Sequence, residues 1–304
     1  MYATTYTGLE CPTERALLHT LLYFELFSHP LRAEEVFYYC NDESASPEIV
    51  AGKLQSLTEQ GIVFQFGSFY QTQNDASWLS KRLEYNRRAD QMLPIAHRRA
   101  KLIGKFPFVR GVFVSGSLSK HCMRADSDVD FFIVTAPGRL WLARTLLVLF
   151  KKIFLLNSHK YFCVNYFIDT EHLEIEEKNR FTATEAVTLV PMYGREYFEA
   201  FLEANSWAWE QYPNFPKRDT SKVPVNSAIR LKKALEKLLS GRVGEWLDKR
   251  FMQLTVKVWK RKFKHFDAAR FDVAMKSRRY VSKHHPLHFQ EKVLQRLEAR
   301  MREM

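Results

Sequence analysis

The chain has 304 residues but only four cysteines, Cys11, Cys40, Cys122 and Cys163, and no CxxC pair. Cysteines so scattered argue against a zinc site and against a disulfide framework, and they suit a reducing, cytoplasmic compartment. The opening residues MYATTYTGLE lack a basic stretch followed by an apolar run, so no signal peptide is expected. No segment is long and apolar enough to span a membrane. The best candidate, Leu140 to Leu156, is broken by Arg144, Lys151 and Lys152, and it predicts a buried helix behind a sheet. The charge is unevenly placed: Lys217 to Met304 carries 24 Lys and Arg against 9 Asp and Glu. The whole net charge of +12 therefore sits in the tail, which points to an anionic partner such as nucleic acid, a nucleotide tail or an anionic surface.

What is present is concentrated in residues 114–134, VSGSLSKHCMRADSDVDFFIV. An apolar strand from Phe108 to Val114 runs into Gly116-Ser117, and Asp128-Val129-Asp130 then opens a second strand, Phe131 to Val134. Residues two apart in a strand share a face, so Asp128 and Asp130 project together while Val129 points into the core. Two adjacent carboxylates repel unless a cation lies between them, and carboxylates with phosphate oxygens are the usual surroundings of Mg²⁺. A Gly-Ser turn offers backbone N–H groups, a hydroxyl and no obstructing Cβ, all suited to a phosphate.

Gly116-Ser117 followed by Asp128-x-Asp130 resembles the Gly-Ser…Asp-x-Asp signature of the polymerase-β-like nucleotidyltransferase superfamily, over roughly residues 105–170. Pro137-Gly138-Arg139-Leu140-Trp141 also looks like a group of uncharacterised bacterial members with a helical domain behind the transferase core. The resemblance implies a Mg²⁺-dependent enzyme that moves a nucleoside monophosphate from a nucleoside triphosphate, ATP by family likeness, to a hydroxyl of a small-molecule or protein acceptor. Gly116 and Ser117 would hold the phosphates. Lys120 and Arg139 are the expected phosphate clamps. The competing expectation is a catalytically weak or inactive nucleotide-sensing regulator that binds nucleic acid through its winged helix and basic tail.

The superfamily usually carries a third carboxylate on a later strand, and the sequence departs from that pattern. In Tyr161 to Ile168 the mid-strand position holds Asn165, a neutral cation ligand, and Asp169 follows at the same strand parity. Either residue is a candidate to complete the metal site with Asp128 and Asp130. His284, His285 and His288 form the other group with metal-ligand chemistry, but Pro286 interrupts it and no acid lies near.

Around this centre the expected fold is α+β: a nucleotidyltransferase core with a small mixed sheet (81–215), a winged-helix-like module before it (1–80) and a basic helical region after it (216–304). In the module, Glu14 to Phe27, Leu31 to Tyr39 and Pro47 to Gln60 read as helices, and Ile62 to Phe66 with Phe69 to Thr72 as a hairpin about Gly67-Ser68. Lys53 is the only basic residue of the third helix, which favours docking or dimerisation over DNA binding. Trp78 to Ile103 predicts a basic linker helix, and Thr184 to Ala204 a helix kinked at Pro191. Trp207 and Trp209 are candidates to stack on a base, against ordinary core packing. In the tail, Trp246, Phe251, Leu254 and Trp259 recur at helical spacing and predict that the region packs on the core.

Overall fold

The computed structural model describes residues 11–155, 160–227, 229–284 and 289–302. His285 and His288 of the histidine group lie outside them. The fold is α+β, with a three-stranded antiparallel sheet and a five-stranded mixed sheet. The first module runs α1 (Pro12–Glu25), β1 (Leu31–Arg32), α2 (Ala33–Tyr39), α3 (Pro47–Glu59), β2 (Phe64–Phe66) and β3 (Phe69–Gln71). Its sheet has the order β1-β3-β2, the winged-helix-like arrangement expected, with one strand more than the sequence reading gave. Local chemistry sets these boundaries. Ser46 Oγ accepts from the Ile49 N–H at the start of α3, and Pro47 follows at the first turn, where no backbone partner awaits an N–H.

The 28-residue α4 (Ser77–Gly104) leads from the wing to β4 (Val109–Ser115), the single turn α5 (Gly116–Ser119) and β5 (Asp130–Thr135). Next come α6 (Leu140–Phe154), β6 (Cys163–Asp169), α7 (Arg180–Thr188), β7 (Val190–Tyr193), α8 (Arg195–Ala204) and α9 (Trp207–Gln211). The chain ends with α10 (Arg230–Leu238), α11 (Arg242–Lys262), α12 (Ala268–Ala274), β8 (Val281–Lys283) and α13 (Phe289–Arg302). The second sheet has the order β7-β4-β5-β6-β8; β5 and β6 are parallel and the other pairs antiparallel. The segment expected as one kinked helix is therefore α7, an edge strand and α8. Pro191 sits on that edge strand, where a residue without an N–H is tolerated.

The central strands alternate strictly, so the sheet is covered on both sides. Phe113, Phe132 and Val134 join the core that α1, α2, α3, α7 and α8 share. Val112, Val114, Phe131 and Ile133 join the core of α4 and α6. The N-terminal module is thus docked onto the five-stranded sheet through one continuous apolar core. Polar contacts reinforce that docking: Arg180 on α7 meets His19 Nδ1 at 2.7 Å and donates to Thr20 Oγ1 at 3.2 Å. Lys53 is held by Glu14 at 2.9 Å, so the only basic side chain of α3 is already paired.

Residues 216–304 do not stand apart as a helical body. β8 closes the edge of the main sheet against β6, and α13 lays Val293 and Leu297 into the module's core. Asp248 on α11 is buried and accepts the Leu142 N–H at 2.8 Å, at the start of α6. The packed-tail expectation holds for Trp259, which is buried, and for Phe251, which packs against the α4–α6 core. It fails for Trp246 and Leu254, which face outward because they lie on the opposite side of α11. Trp207 and Trp209 are core residues whose indole N–H groups bond to Asn205 Oδ1 and to the Phe215 carbonyl, which fits packing rather than base stacking.

Candidate functional site

The β4–β5 hairpin brings the two halves of the motif together. Ser115 and Asp130 are register partners, so the Gly-Ser turn at the end of β4 stands beside the start of β5. Gly116 has φ of +66°, and a Cβ there would lie 2.6 Å from Asp130 Oδ2. Only glycine lets the carboxylate approach the turn so closely. Asp128 lies in the preceding loop, and the intervening Val129 is fully buried, with its N–H on the Lys160 carbonyl and its carbonyl accepting from Cys163. Ser117 is half-buried on the turn.

Asn165 enters through a register shift. Asp130 and Phe131 pair with Cys163 and Val164, whereas Phe132 pairs with Tyr166, so Asn165 falls in a bulge of β6. Its Nδ2 donates to Asp130 Oδ1 at 2.9 Å, while its Oδ1 is buried with no hydrogen-bond partner. A buried amide oxygen without a donor is unfavourable by about 1–3 kcal/mol and marks a place where a cation fits. Burial pushes the Asp130 carboxyl up to about 6, a shift that the charges of Asp128 and Glu185 reinforce while bonds from Cys163 and Asn165 oppose it. The same burial, with Asp130 beside it, drives the Cys163 thiol far above its ordinary value, so it stays a protonated donor.

Asp169 and Arg139 do not belong to this site. Asp169 pairs in register with Thr135 at the far end of β5, five residues from Asp130 or about 16 Å along the strand. It is buried there against His172 Nδ1 and the Glu171 N–H. Arg139 lies beyond that same far end and donates to the carbonyls of Leu239, Ser240 and Gly241, closing the C-terminus of α10. Strand parity gives the face of a side chain but not its height along the sheet, which is where the Asp169 expectation failed; Arg139 follows β5 in the chain and so comes out at the end opposite Asp130.

Lys120 does reach the turn. Its Nζ donates to the Gly116 carbonyl at 3.1 Å and pairs with Glu185 Oε1 at 2.7 Å. Glu185, on α7, also accepts the Gly116 N–H on Oε2 at 3.3 Å. Sequence reasoning missed Glu185; its one signal is an acid set among Thr, Ala and Val in an otherwise buried helix. It occupies the two donors expected to face a phosphate. Arg218 was also missed: its guanidinium bridges the carbonyls of Ser119 and Thr188 at 3.2 and 3.0 Å and ties the turn to α7. Lys151, near the end of α6, borders the site from the other face; burial lowers its pKa, and the charge of Asp128 acts against that.

Among the described residues no group of three or more His, Cys, Asp or Glu side chains is arranged to hold a metal. Asn165 and Asp130 meet directly and the charge of Asp128 acts on Asp130, so the candidate donors are all oxygen: the two carboxylates and the unpartnered Asn165 Oδ1. Such a set suits a hard cation that keeps waters and shares phosphate oxygens, as Mg²⁺ does. Comparison of the chain with protein-family models, curated proteins and solved structures finds no match.

Proposed function

We propose that the chain is a Mg²⁺-dependent nucleotidyltransferase that moves a nucleoside monophosphate from a nucleoside triphosphate, such as ATP, to a hydroxyl of a small-molecule or protein acceptor. The observation that carries this reading is the contact between Gly116 and Asp130, with Asn165 bonded to the same carboxylate and its own oxygen left unpartnered. Asp128, Asp130 and Asn165 Oδ1 would hold the cation, whose chemistry there would be to neutralise phosphate charge and help orient the triphosphate. Gly116 lets the Asp130 carboxylate stand against the turn, and its N–H, once released by Glu185, would donate to a phosphate oxygen. Lys120 exchanges Glu185 for a phosphate oxygen. The acceptor oxygen bonds to the α-phosphorus, pyrophosphate leaves, and the acceptor proton passes to solvent.

Incubation with nucleoside triphosphates labelled at the α-phosphate, with Mg²⁺, tests the reading by self-labelling and pyrophosphate release. Turnover that disappears in Asp128→Asn and Asp130→Asn is the expected result. Turnover that survives both changes refutes the site. A second reading, a nucleotide sensor of little or no turnover, draws support from Glu185 sitting on both phosphate donors and from Asn165 standing where an acid is usual. Triphosphate binding without pyrophosphate release, seen as thermal stabilisation in the same samples, selects it.

A further inference from the structure

We propose that the face formed by α10 and the first turns of α11 docks on the surface of an anionic lipid bilayer. α10 is built inside out. Its Lys232 is 1% exposed, with Nζ donating to the carbonyls of Gly104 and Val109 at 2.9 and 2.7 Å. Glu236 also faces inward, accepting the Phe108 N–H and pairing with Arg110 at 2.8 Å. Leu231 and Leu238 point out instead, 64% and 74% exposed. A surface helix ordinarily buries its apolar stripe and exposes its charges, so folding alone does not account for this arrangement.

The apolar face continues past the turn. Val243 and Trp246, three apart on α11, are 64% and 60% exposed, and Val225 and Ile229 are exposed on the approach to α10. The two helices are fastened together, because a Cβ on Gly244 would lie 1.8 Å from the Leu239 carbonyl oxygen. Arg139 holds the carbonyls of Leu239 and Gly241 from the start of α6. The exposed side chains thus sit on a fixed surface.

The charge on this stretch is predominantly positive. Arg230, Lys233, Lys237, Arg242 and Arg250 are exposed. The acids are each paired or buried: Glu236 with Arg110, Glu245 with its neighbour Lys249 and with Arg279, and Asp248 buried at the start of α6. Facing cations would repel a second copy of the chain across a twofold interface. A nucleic acid would meet the cations but leave the leucines and valines unused, with only Trp246 able to stack. An anionic bilayer uses both, with apolar side chains at the acyl boundary and cations at the headgroups. No helix among the described residues is long and apolar enough to cross a membrane, so the contact is peripheral. The patch adjoins Arg139, at the far end of the sheet from Asp130, so a docked protein keeps its Gly116 turn clear of the lipid.

Flotation of the full chain with phosphatidylcholine vesicles, with and without phosphatidylglycerol, tests the proposal. Binding is expected only where phosphatidylglycerol is present. L238Q/W246S should lower the partition coefficient by about tenfold or more with an unchanged Tm, and K233Q/K237Q should lower it by a similar factor. Failure to float, equal flotation on phosphatidylcholine alone, or flotation untouched by L238Q/W246S overturns it. Light scattering that shows a dimer abolished by W246S, or duplex DNA binding lost in L238Q/W246S, also overturns it and assigns the face to that partner instead.

Discussion

Replacing Asp130 by Asn should make the free protein more stable at neutral and alkaline pH. The carboxyl titrates at about 6 in the fold against an ordinary 3.8, chiefly because it is buried. An acid whose folded pKa is raised favours the fold in its protonated form. That stabilisation is complete below the unfolded pKa and is lost as pH rises through the folded one. The window is therefore pH 4 to 6, and a shift of about two units corresponds to about 3 kcal/mol between its two ends. The amide in Asp130→Asn keeps an oxygen for Asn165 Nδ2 and carries no charge, so the variant does not lose this stability. At pH 8 its Tm should exceed the wild-type value by about 6 °C, taking about 2 °C per kcal/mol for a chain of this size. At pH 4 the two should melt together. Calorimetry across the pH range reads the difference directly. Mg²⁺ with a nucleoside triphosphate should raise the wild-type Tm alone, since ligand that binds the fold stabilises it by mass action. A variant equal to or below wild type at pH 8, with the same pH profile, refutes the account of Asp130 as a desolvated carboxylate.

Asp169→Asn should leave nucleotide turnover unchanged while lowering Tm, because its carboxylate serves His172 and the Glu171 N–H at the other end of the sheet; a collapse of kcat would return Asp169 to the site. Glu185→Gln should free Lys120 and tighten triphosphate binding by up to about 1 kcal/mol, a factor of about five, in a calorimetric titration; weaker binding would show that Glu185 supports the ligand instead. Asp248→Ala should cost about 1–3 kcal/mol in urea unfolding by stranding a buried N–H at the start of α6, with no change in the affinity for nucleotide.

Much of the fold was legible because the sequence carries local signals for it. The Leu17, Leu18, Leu21 and Leu22 stripe gave α1, Ser46-Pro47 gave the start of α3, and the alternating VDFFIV gave β5. The misses are short strands whose pairing is non-local. β1 has two residues, β7 contains a proline and β8 has three residues inside a helical region. Each exists because an open sheet edge was there to receive it, and no window of neighbouring residues records that edge. The site divides the same way. Gly116, Asp128 and Asp130 come from one hairpin and were legible, as was Asn165 on the adjacent strand. Glu185 and Arg218 come from distant parts of the chain and were not: Glu185 bonds to Gly116 across 69 residues and Arg218 to Ser119 across 99. Arg139 misled because a strand lies between it and the motif: being next in sequence placed it at the opposite end of the sheet.

The charge of the tail was read as a single property, yet the structure divides it into two populations. Lys232 is spent on backbone carbonyls, Lys276 on Glu176 and Glu177, Arg278 on Asp272 and Arg300 on Glu25. Lys232, Lys276 and Arg300 fasten α10, the approach to β8 and α13 to the rest of the protein, Arg278 closes on α12 within the tail, and none of the four calls for an outside partner. The cations of α10 and α11 that face solvent are interleaved with Leu231, Leu238, Val243 and Trp246. The apolar spacing of α11 explains why sequence periodicity alone left the tail ambiguous. Gly244, Asp248, Phe251 and Trp259 follow one face and turn toward α6, whereas Val243, Trp246, Leu254 and Val258 follow the other and turn away. A helix that is apolar on two sides and packed on one is half explained by its own fold. The other half calls for something outside the chain that is both negatively charged and apolar.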